Sequence, residues 1–224
     1  MRLPHLPFVK VCCISSLQEA QLAIAAGASA LGLVSEMPSG PGVISDELIA
    51  EIAAQVPPPI ASFLLTCRQD ADEILAQHAV CRTTTIQLVD FVPIEQLQKL
   101  RTGLPGIKLV QVIHVVDQES LEEARSSAPF VDALLLDSGN QKLAVKELGG
   151  TGRIHDWTLS RKICETVSRP VFLAGGLNQD NVVEAVDQVR PFGLDLCSGV
   201  RTKGALDVRK LAGFFQALAT AARV

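Results

Sequence analysis

The sequence predicts an α/β fold, a single (β/α)8 TIM barrel that occupies the whole chain, residues 1–224. Eight short apolar or β-branched segments occur along the chain, each followed by a segment with helical patterning. The apolar segments are continuous rather than alternating, as is typical of parallel strands covered on both faces. Eight such units in 224 residues fit one compact barrel. A doubly wound open sheet is less favoured, because no GxGxxG follows the first strand.

The eight predicted strands are, in order, "FVKVCCI" (8–14), "ALGLV" (30–34), "PIASFLL" (59–65), "TTIQLV" (84–89), "KLVQVIHV" (108–115), "DALLLD" (132–137), "PVFLAGG" (170–176) and "FGLDLCSG" (192–199). A helix is predicted after each strand. The first has the clearest boundary signals: Ser16 precedes it, Glu19 stands at capping-box distance and Gly27 ends it.

Composition excludes several functional classes. The chain has 20 basic and 24 acidic residues, a net charge of −4 and no basic stripe, so no nucleic-acid partner is expected. No apolar run reaches the roughly 18 residues that span a bilayer, so no membrane partner is expected either. The start "MRLPHLPFVK" lacks an apolar signal-peptide region, which predicts a cytoplasmic protein. A monomer and a homodimer both remain open.

The six cysteines contain no CxxC pair, and no histidine lies near them at metal-ligand spacing, so no metal is expected. Cys12 and Cys13 are adjacent in the first predicted strand. In an extended strand their side chains face opposite ways, which makes them a poor chelate or disulfide. Only one of the two is therefore expected to face a site.

Chemistry in such a barrel takes place where strands end. Asp137 ends the sixth strand, as a turn former or as a general acid at a partly desolvated mouth. The loops "LAGGLNQDNV" (173–182) and "CSGVRTKGALD" (197–207) follow strands seven and eight. Glycine-rich turns let backbone N–H groups approach a phosphate, although turns need glycine in any case. Two neighbouring loops of this kind favour a phosphorylated small-molecule substrate.

The long connection after Asp137 ends in "KELGGTGRIHDW" (146–157). Its length is typical of a lid or binding loop, and its glycines would give it mobility. His155 is interpreted as a residue that anchors this loop by a hydrogen bond rather than as a catalyst.

Several segments together resemble the phosphoribosylanthranilate isomerase family of tryptophan biosynthesis. "VKVCCIS" is similar to that family's VKICGIT, and "LLLD" followed by "GGTGRIHDW" to its LLD and GGTGxxFDW. "LAGGLNQDNV" is similar to LAGGLxPxNV, and "GLDLCSGVRTKGALD" to its GVDVSSGVE segment. These matches fall in order and cover most of the chain. The resemblance implies an Amadori rearrangement that needs proton transfers but no cofactor or metal.

Carried over position by position, the resemblance implies that Cys12 is the general base and Asp137 the general acid. Cys13 takes a position where the family has glycine. Two interpretations of Lys10, two residues before Cys12 on the same strand face, stay open: a cation that lowers the pKa of Cys12, or a solvated charge at the strand end. The remaining implied residues contact the substrate or its phosphate: Gln87, Gly150, Gly175, Gly176, Ser198 and Gly199.

The chain departs from the family at substrate-side positions. The loop "PSGPGVIS" (38–45) lacks the arginine that would hold the anthranilate carboxylate, and "QLVD" (87–90) replaces QLHG. Arg201 is the first candidate for the replacement cation, with Arg153 and Lys203 as others. Two further hypotheses stay open: a related barrel isomerase with a different phosphoribosyl or phosphosugar substrate, and a non-catalytic binder of a phosphorylated ligand.

Overall fold

A computed structural model describes residues 7–139, 146–150 and 152–221. Eight parallel strands form a closed barrel in sequence order, which confirms the predicted fold. The strands are β1 Phe8–Val11, β2 Ala30–Val34, β3 Ala61–Thr66, β4 Thr85–Leu88, β5 Lys108–His114, β6 Ala133–Asp137, β7 Val171–Leu173 and β8 Gly193–Leu196.

A helix follows each barrel strand. The helices are α1 Leu17–Ala26, α2 Asp46–Gln55, α3 Ala71–Cys81, α4 Ile94–Gly103, α5 Glu119–Ser127, α6 Trp157–Thr166, α7 Val182–Val189 and α8 Val208–Ala221. The predicted boundaries of α1 hold: Ser16 Oγ accepts from the backbone N–H of Glu19 at 3.2 Å, and Gly27 has a φ of 111°. Glycine adopts this left-handed conformation without a steric cost.

Strands β1 and β8 are shorter than predicted. Cys13 has a φ of 62°, so the chain leaves the extended conformation directly after Cys12. The predicted end of β8 is instead a short 3-10 helix, Ser198–Val200. A small antiparallel hairpin follows it, formed by β9 Arg201–Thr202 and β10 Ala205–Leu206, which sequence patterning did not indicate. Both departures lie at the mouth of the barrel, where side-chain contacts outweigh strand propensity.

The apolar core has two layers. The larger layer fills the space between strands and helices and includes Val9 and Val11. The smaller one fills the barrel interior and includes Phe63 and Phe172. Lys10 alternates with the two valines and therefore points into the barrel, fully buried. The interior thus contains a cation directly beneath the mouth.

Within the described residues, no helix combines the length and apolarity needed to cross a bilayer. In the same part of the chain, no three His, Cys, Asp or Glu side chains are grouped as a metal site. The strands and helices extend from residue 8 to residue 221. That residues 1–224 form one domain stays a prediction.

Candidate active site

A pocket opens at the carboxyl ends of the barrel strands. It brings together seven of the residues that the sequence identified: Cys12, Gln87, Gly150, Asp137, Gly175, Gly176 and Ser198. Three others, Lys10, Gly199 and Arg201, do not line it. Asp195 does line it, although the sequence interpretation gave it no role. The mouth therefore holds cysteine thiols, two carboxylates and glycine-rich loops, as expected of a barrel enzyme.

The Cys12 thiol is poised to ionise. It is only 5% exposed and lies beside Gly32, where a methyl group would come within 2.7 Å of Cys12 Sγ and 3.0 Å of Lys10 Nζ. The neighbouring Cys13 thiol does most to lower the pKa of Cys12, burial opposes it, and the Lys10 ammonium lowers it further, to about 6. These neighbours favour the thiolate of Cys12, the form that can accept a proton.

Lys10 keeps its charge because it is paired. Its Nζ lies 2.9 Å from Asp195 Oδ1 on the neighbouring strand β8, and 5.5 Å from the centroid of the Phe63 ring. Burial alone would lower the pKa of Lys10, but Asp195 and Cys12 together raise it. Burial raises the pKa of Asp195, against the effect of Lys10. Lys10 thus lies behind Cys12 and outside the pocket lining, which fits an influence on the thiol rather than a substrate contact.

The sequence did contain a signal for Asp195. It is an acidic residue in the middle of an otherwise apolar strand, "GLDL", and buried charges are rare unless paired. Its partner Lys10 has the same unusual position in β1, and the two residues are opposite each other in the β1–β8 register.

Cys13 does not follow the strand alternation, and the expectation that only one of the two adjacent cysteines faces the site is wrong. Its left-handed φ turns the side chain so that both Cys12 and Cys13 line the pocket. Gly42 fits against it closely, since a methyl group there would lie 2.5 Å from Cys13 Cβ. The Cys13 thiol lies 3.6 Å from the Pro41 carbonyl oxygen, and its Sγ is 2.8 Å from Cys197 Sγ.

Asp137 is the last residue of β6, and its half-buried carboxylate faces the pocket. Oδ1 accepts a hydrogen bond from the backbone N–H of Ser138 at 2.7 Å. Oδ2 lies against Gly149, where a methyl group would come within 2.4 Å of it. Gly149 has a φ of 112°, so the loop covers the carboxylate with backbone alone.

The two glycine-rich loops meet at one side of the mouth. Gly175 and Gly176 both have positive φ values, 85° and 65°. Among the described residues, their N–H groups and that of Ser198 donate no hydrogen bond. Gly152 completes this side, since a methyl group there would lie 3.2 Å from Ser198 Oγ. Gly199 lies behind the pocket, where a methyl group would come within 2.0 Å of the Leu177 carbonyl oxygen.

Gln87 places an amide at the floor of the pocket. The residue is 3% exposed, and its Oε1 has no hydrogen-bond partner among the described residues. Buried polar atoms are normally satisfied, so this oxygen is an acceptor available to a bound ligand.

Two loops contact each other across the top of the pocket. Ser39, from the loop after β2, donates from Oγ to the Lys146 carbonyl oxygen at 2.7 Å. The Lys146 ammonium in turn forms an ion pair with Asp90 after β4. His155 Nε2 lies 2.8 Å from Ser160 Oγ in α6, so it anchors its loop as expected, and burial lowers its pKa.

The position of Arg201 does not fit the predicted role as the cation for the substrate carboxylate. Its guanidinium contacts both oxygens of Glu19, at 2.9 and 3.0 Å, and the carbonyl oxygens of Cys12, Cys13 and Gly204. Because Glu19 on α1 faces it, Arg201 fixes the turn after β1 from outside the pocket. Arg153 pairs with Glu147, and Lys203 lies exposed in the β9–β10 hairpin.

Comparison with known proteins adds independent evidence. Residues 9–217 match the family model described as N-(5′phosphoribosyl)anthranilate (PRA) isomerase. The chain is 37% identical to the N-(5′-phosphoribosyl)anthranilate isomerase of Haloferax volcanii, covering 96% of this chain and 94% of that one. It is 36% identical to isomerase 2 of Methanosarcina mazei, covering 92% and 91%.

Solved structures agree. The phosphoribosyl anthranilate isomerase of Thermotoga maritima superposes with a TM-score of 0.81 at 28% identity, covering 96% of this chain and 99% of that one. Another such isomerase, in complex with reduced 1-(o-carboxyphenylamino)-1-deoxyribulose 5-phosphate, gives a TM-score of 0.79 at 27% identity, with the same coverage of both chains. The chain therefore belongs to the N-(5′-phosphoribosyl)anthranilate isomerase family.

Proposed function

We propose that this pocket carries out the Amadori rearrangement of N-(5′-phosphoribosyl)anthranilate with Cys12 as general base and Asp137 as general acid. The chain is an aldose–ketose isomerase of tryptophan biosynthesis, in keeping with its family. The observation that carries the residue assignment is the Cys12 thiol, whose pKa is lowered to about 6 in a pocket that Asp137 also lines. An acid and a base facing one pocket suit a reaction made only of proton transfers.

In the first step, Asp137 donates a proton to the furanose ring oxygen. The bond from C1′ to that oxygen breaks, and the lone pair of the anilino nitrogen forms the Schiff base. The Cys12 thiolate then removes the proton from C2′, and the electron pair of that bond forms the enolamine. The enolamine tautomerises to the aminodeoxyribulose phosphate. The Lys10 ammonium beside Cys12 favours the thiolate before the proton is taken.

The N–H groups of Gly175, Gly176 and Ser198, which donate no hydrogen bond within the described part of the chain, are the proposed phosphate site, because positive-φ turns direct backbone dipoles toward one anion. Gly150 lies in the loop above the substrate, and Gln87 Oε1 would accept a hydrogen bond from it. A crystal structure with the reduced product analogue should place its phosphate at Gly176 and Ser198. Phosphate bound at another part of the mouth would refute this assignment.

The carboxylate of anthranilate needs a cation, and no Lys or Arg belongs to the described pocket lining. We assign this role to Lys146. Its backbone carbonyl is held by Ser39, a pocket residue, and its side chain is 40% exposed beside Asp90. Asp90 takes a position where the family motif has glycine. Its ion pair with Lys146 holds the ammonium at the edge of the mouth, next to the 38–45 loop that lacks arginine.

Replacing Lys146 by alanine is expected to raise KM for phosphoribosylanthranilate about fivefold, the effect of a partly exposed ion pair, with a smaller change in kcat. Steady-state kinetics and thermal unfolding would be measured together, since Asp90 loses its partner. Lys203→Ala, an exposed lysine away from the pocket, is the matched control. Equal KM values for Lys146→Ala and the wild type would contradict the assignment.

The activity itself is tested by complementation of a bacterial strain that lacks this isomerase. The wild-type chain should restore growth without tryptophan, whereas Cys12→Ser and Asp137→Asn should not. Failure of the well-expressed wild type would favour another phosphosugar substrate. Growth with both variants would refute the assigned acid and base.

We further propose that the enzyme works in the cytoplasm. All six cysteines are free thiols, including the buried Cys12, Cys13 and Cys81, which is the usual state of thiols in a reducing compartment.

A further inference from the structure

Two cysteines that the proposed mechanism does not use as base or acid meet at the mouth of the barrel. Cys13 follows β1 and Cys197 follows β8, and their Sγ atoms are 2.8 Å apart. A disulfide bond is about 2.0 Å long, so the sulfurs are already less than 1 Å beyond it. Neither position holds cysteine in the family motifs that the chain resembles, which have glycine and serine there. The pair is thus a feature of this chain.

The backbone at both cysteines is well fixed. Strands β1 and β8 pair with Val11 opposite Leu196, and the Cys12 N–H donates to the Leu196 carbonyl oxygen at 2.6 Å. Packing of Gly42 against Cys13 and the guanidinium of Arg201 on the Cys13 carbonyl oxygen hold the turn that directs the Cys13 side chain toward Cys197. Only a small side-chain movement is needed to bring the sulfurs to bonding distance.

We propose that Cys13 and Cys197 form a reversible disulfide across the mouth of the barrel when the chain meets a low-molecular-weight disulfide such as oxidised glutathione. One protein thiolate attacks the small disulfide, giving a mixed disulfide and one small thiol. The second protein thiol loses its proton and attacks the mixed disulfide, and the second small thiol leaves. The two protein sulfurs are oxidised, the small disulfide is reduced, and the thiol protons are carried away on the two small thiols.

Cys197 is the better placed of the two to make the first attack. It is half-buried and lines the pocket, whereas Cys13 is only 4% exposed and its pKa is raised by the neighbouring thiols of Cys12 and Cys197 and by burial. The second attack takes place inside the protein between neighbouring groups, so it does not require Cys13 to be accessible.

The disulfide would change the active site through Cys12. In the reduced protein the neighbouring Cys13 thiol does most to lower the pKa of Cys12. A sulfur in a disulfide carries no proton to donate, so Cys12 would be less ionised at neutral pH after oxidation. The bond would also link Cys13 to the loop that carries Ser198. This loss of activity rests on the proposed role of Cys12, whereas formation of the bond does not.

The test treats the full chain with oxidised glutathione, blocks free thiols by alkylation, and maps peptides by mass spectrometry. We expect a cross-linked peptide pair containing Cys13 and Cys197, and two fewer reactive thiols than in the reduced protein. Activity at pH 7, relative to the reduced form of the same protein, should fall at least tenfold and return with dithiothreitol.

Two variants give the comparison. Cys164→Ser removes a cysteine on α6, away from the pocket, and should respond to oxidation as the wild type does. Cys197→Ser should give no cross-link and should lose activity at least tenfold more slowly than the wild type. Oxidised wild type with separate Cys13 and Cys197 peptides, or with Cys12 in the bond, would overturn the proposal. A reduced wild type without isomerase activity would refute the proposed function. Peptide mapping would still show whether the Cys13–Cys197 bond forms, since it does not depend on activity.

Discussion

Cys12→Ser is expected to lower kcat/KM for phosphoribosylanthranilate about 1,000-fold, within the 10²- to 10⁴-fold range for loss of a general base. The serine hydroxyl fills nearly the same space beside Gly32 and Lys10. Its pKa lies far above that of a thiol, so it cannot accept the C2′ proton at neutral pH. Steady-state rates of the variant would be compared with its affinity for the reduced product analogue, which should change little.

The pH dependence of the wild type gives a second, independent measurement. The base must be unprotonated, and the pKa of Cys12 is lowered to about 6. kcat/KM of the free enzyme should therefore fall as the pH drops through about 6, whereas a decline at high pH would report the general acid, which must stay protonated. If Cys12 had the ordinary pKa of a thiol, near 8.5, this acid limb of the profile, the fall in kcat/KM at low pH, would begin at a much higher pH.

Cys13→Gly is the matched variant, because glycine adopts the φ of 62° without strain. It removes the thiol that does most to lower the pKa of Cys12. We expect most of the rate to remain at high pH, with the acid limb moved upward. An acid limb that does not move in Cys13→Gly would contradict the effect of Cys13 on the pKa of Cys12. A Cys12→Ser enzyme with more than a tenth of the wild-type rate would contradict Cys12 as the base.

The fold was predictable because its signals are local and repeated. Each strand is a short apolar run and each helix has its own boundary, as Ser16 and Gly27 show for α1. The point at which β1 ends was not predictable, because the left-handed conformation of Cys13 depends on Gly42 and Arg201, which are remote in sequence. Strand propensity in "VCCI" gives no sign of that turn.

The site was predictable where a residue ends a strand, as Asp137 does, or where glycines occur together, as in Gly175 and Gly176. Pairs formed across the barrel were not. Lys10 and Asp195 are separated by 185 positions in sequence, so no local pattern joins them. Arg201 shows the converse. The sequence offered it as a cation for the substrate carboxylate, but in the structure it is bound by Glu19, 182 positions away. Burial and pairing decide which charges remain available to a ligand.

Asp137→Asn is expected to lower kcat at least 100-fold while the affinity for the reduced product analogue changes less than fivefold, the profile of a lost general acid. The amide has the same shape, and its oxygen can still accept the hydrogen bond from the Ser138 N–H. It can no longer donate an acidic proton to the ring oxygen, so the ring stays closed. Single-turnover measurements would show bound substrate with no Schiff base formed.

His155 is the other group near this carboxylate that could supply the proton, and it provides the control. It stands where the family motif has phenylalanine, its Nε2 lies 2.8 Å from Ser160 Oγ, and burial lowers its pKa, which keeps it neutral. His155→Phe should therefore retain at least a third of the wild-type kcat, because it removes the hydrogen bond to Ser160 and not the proton donor. If His155→Phe lost as much activity as Asp137→Asn, the acid would have to be assigned to the pair and not to Asp137.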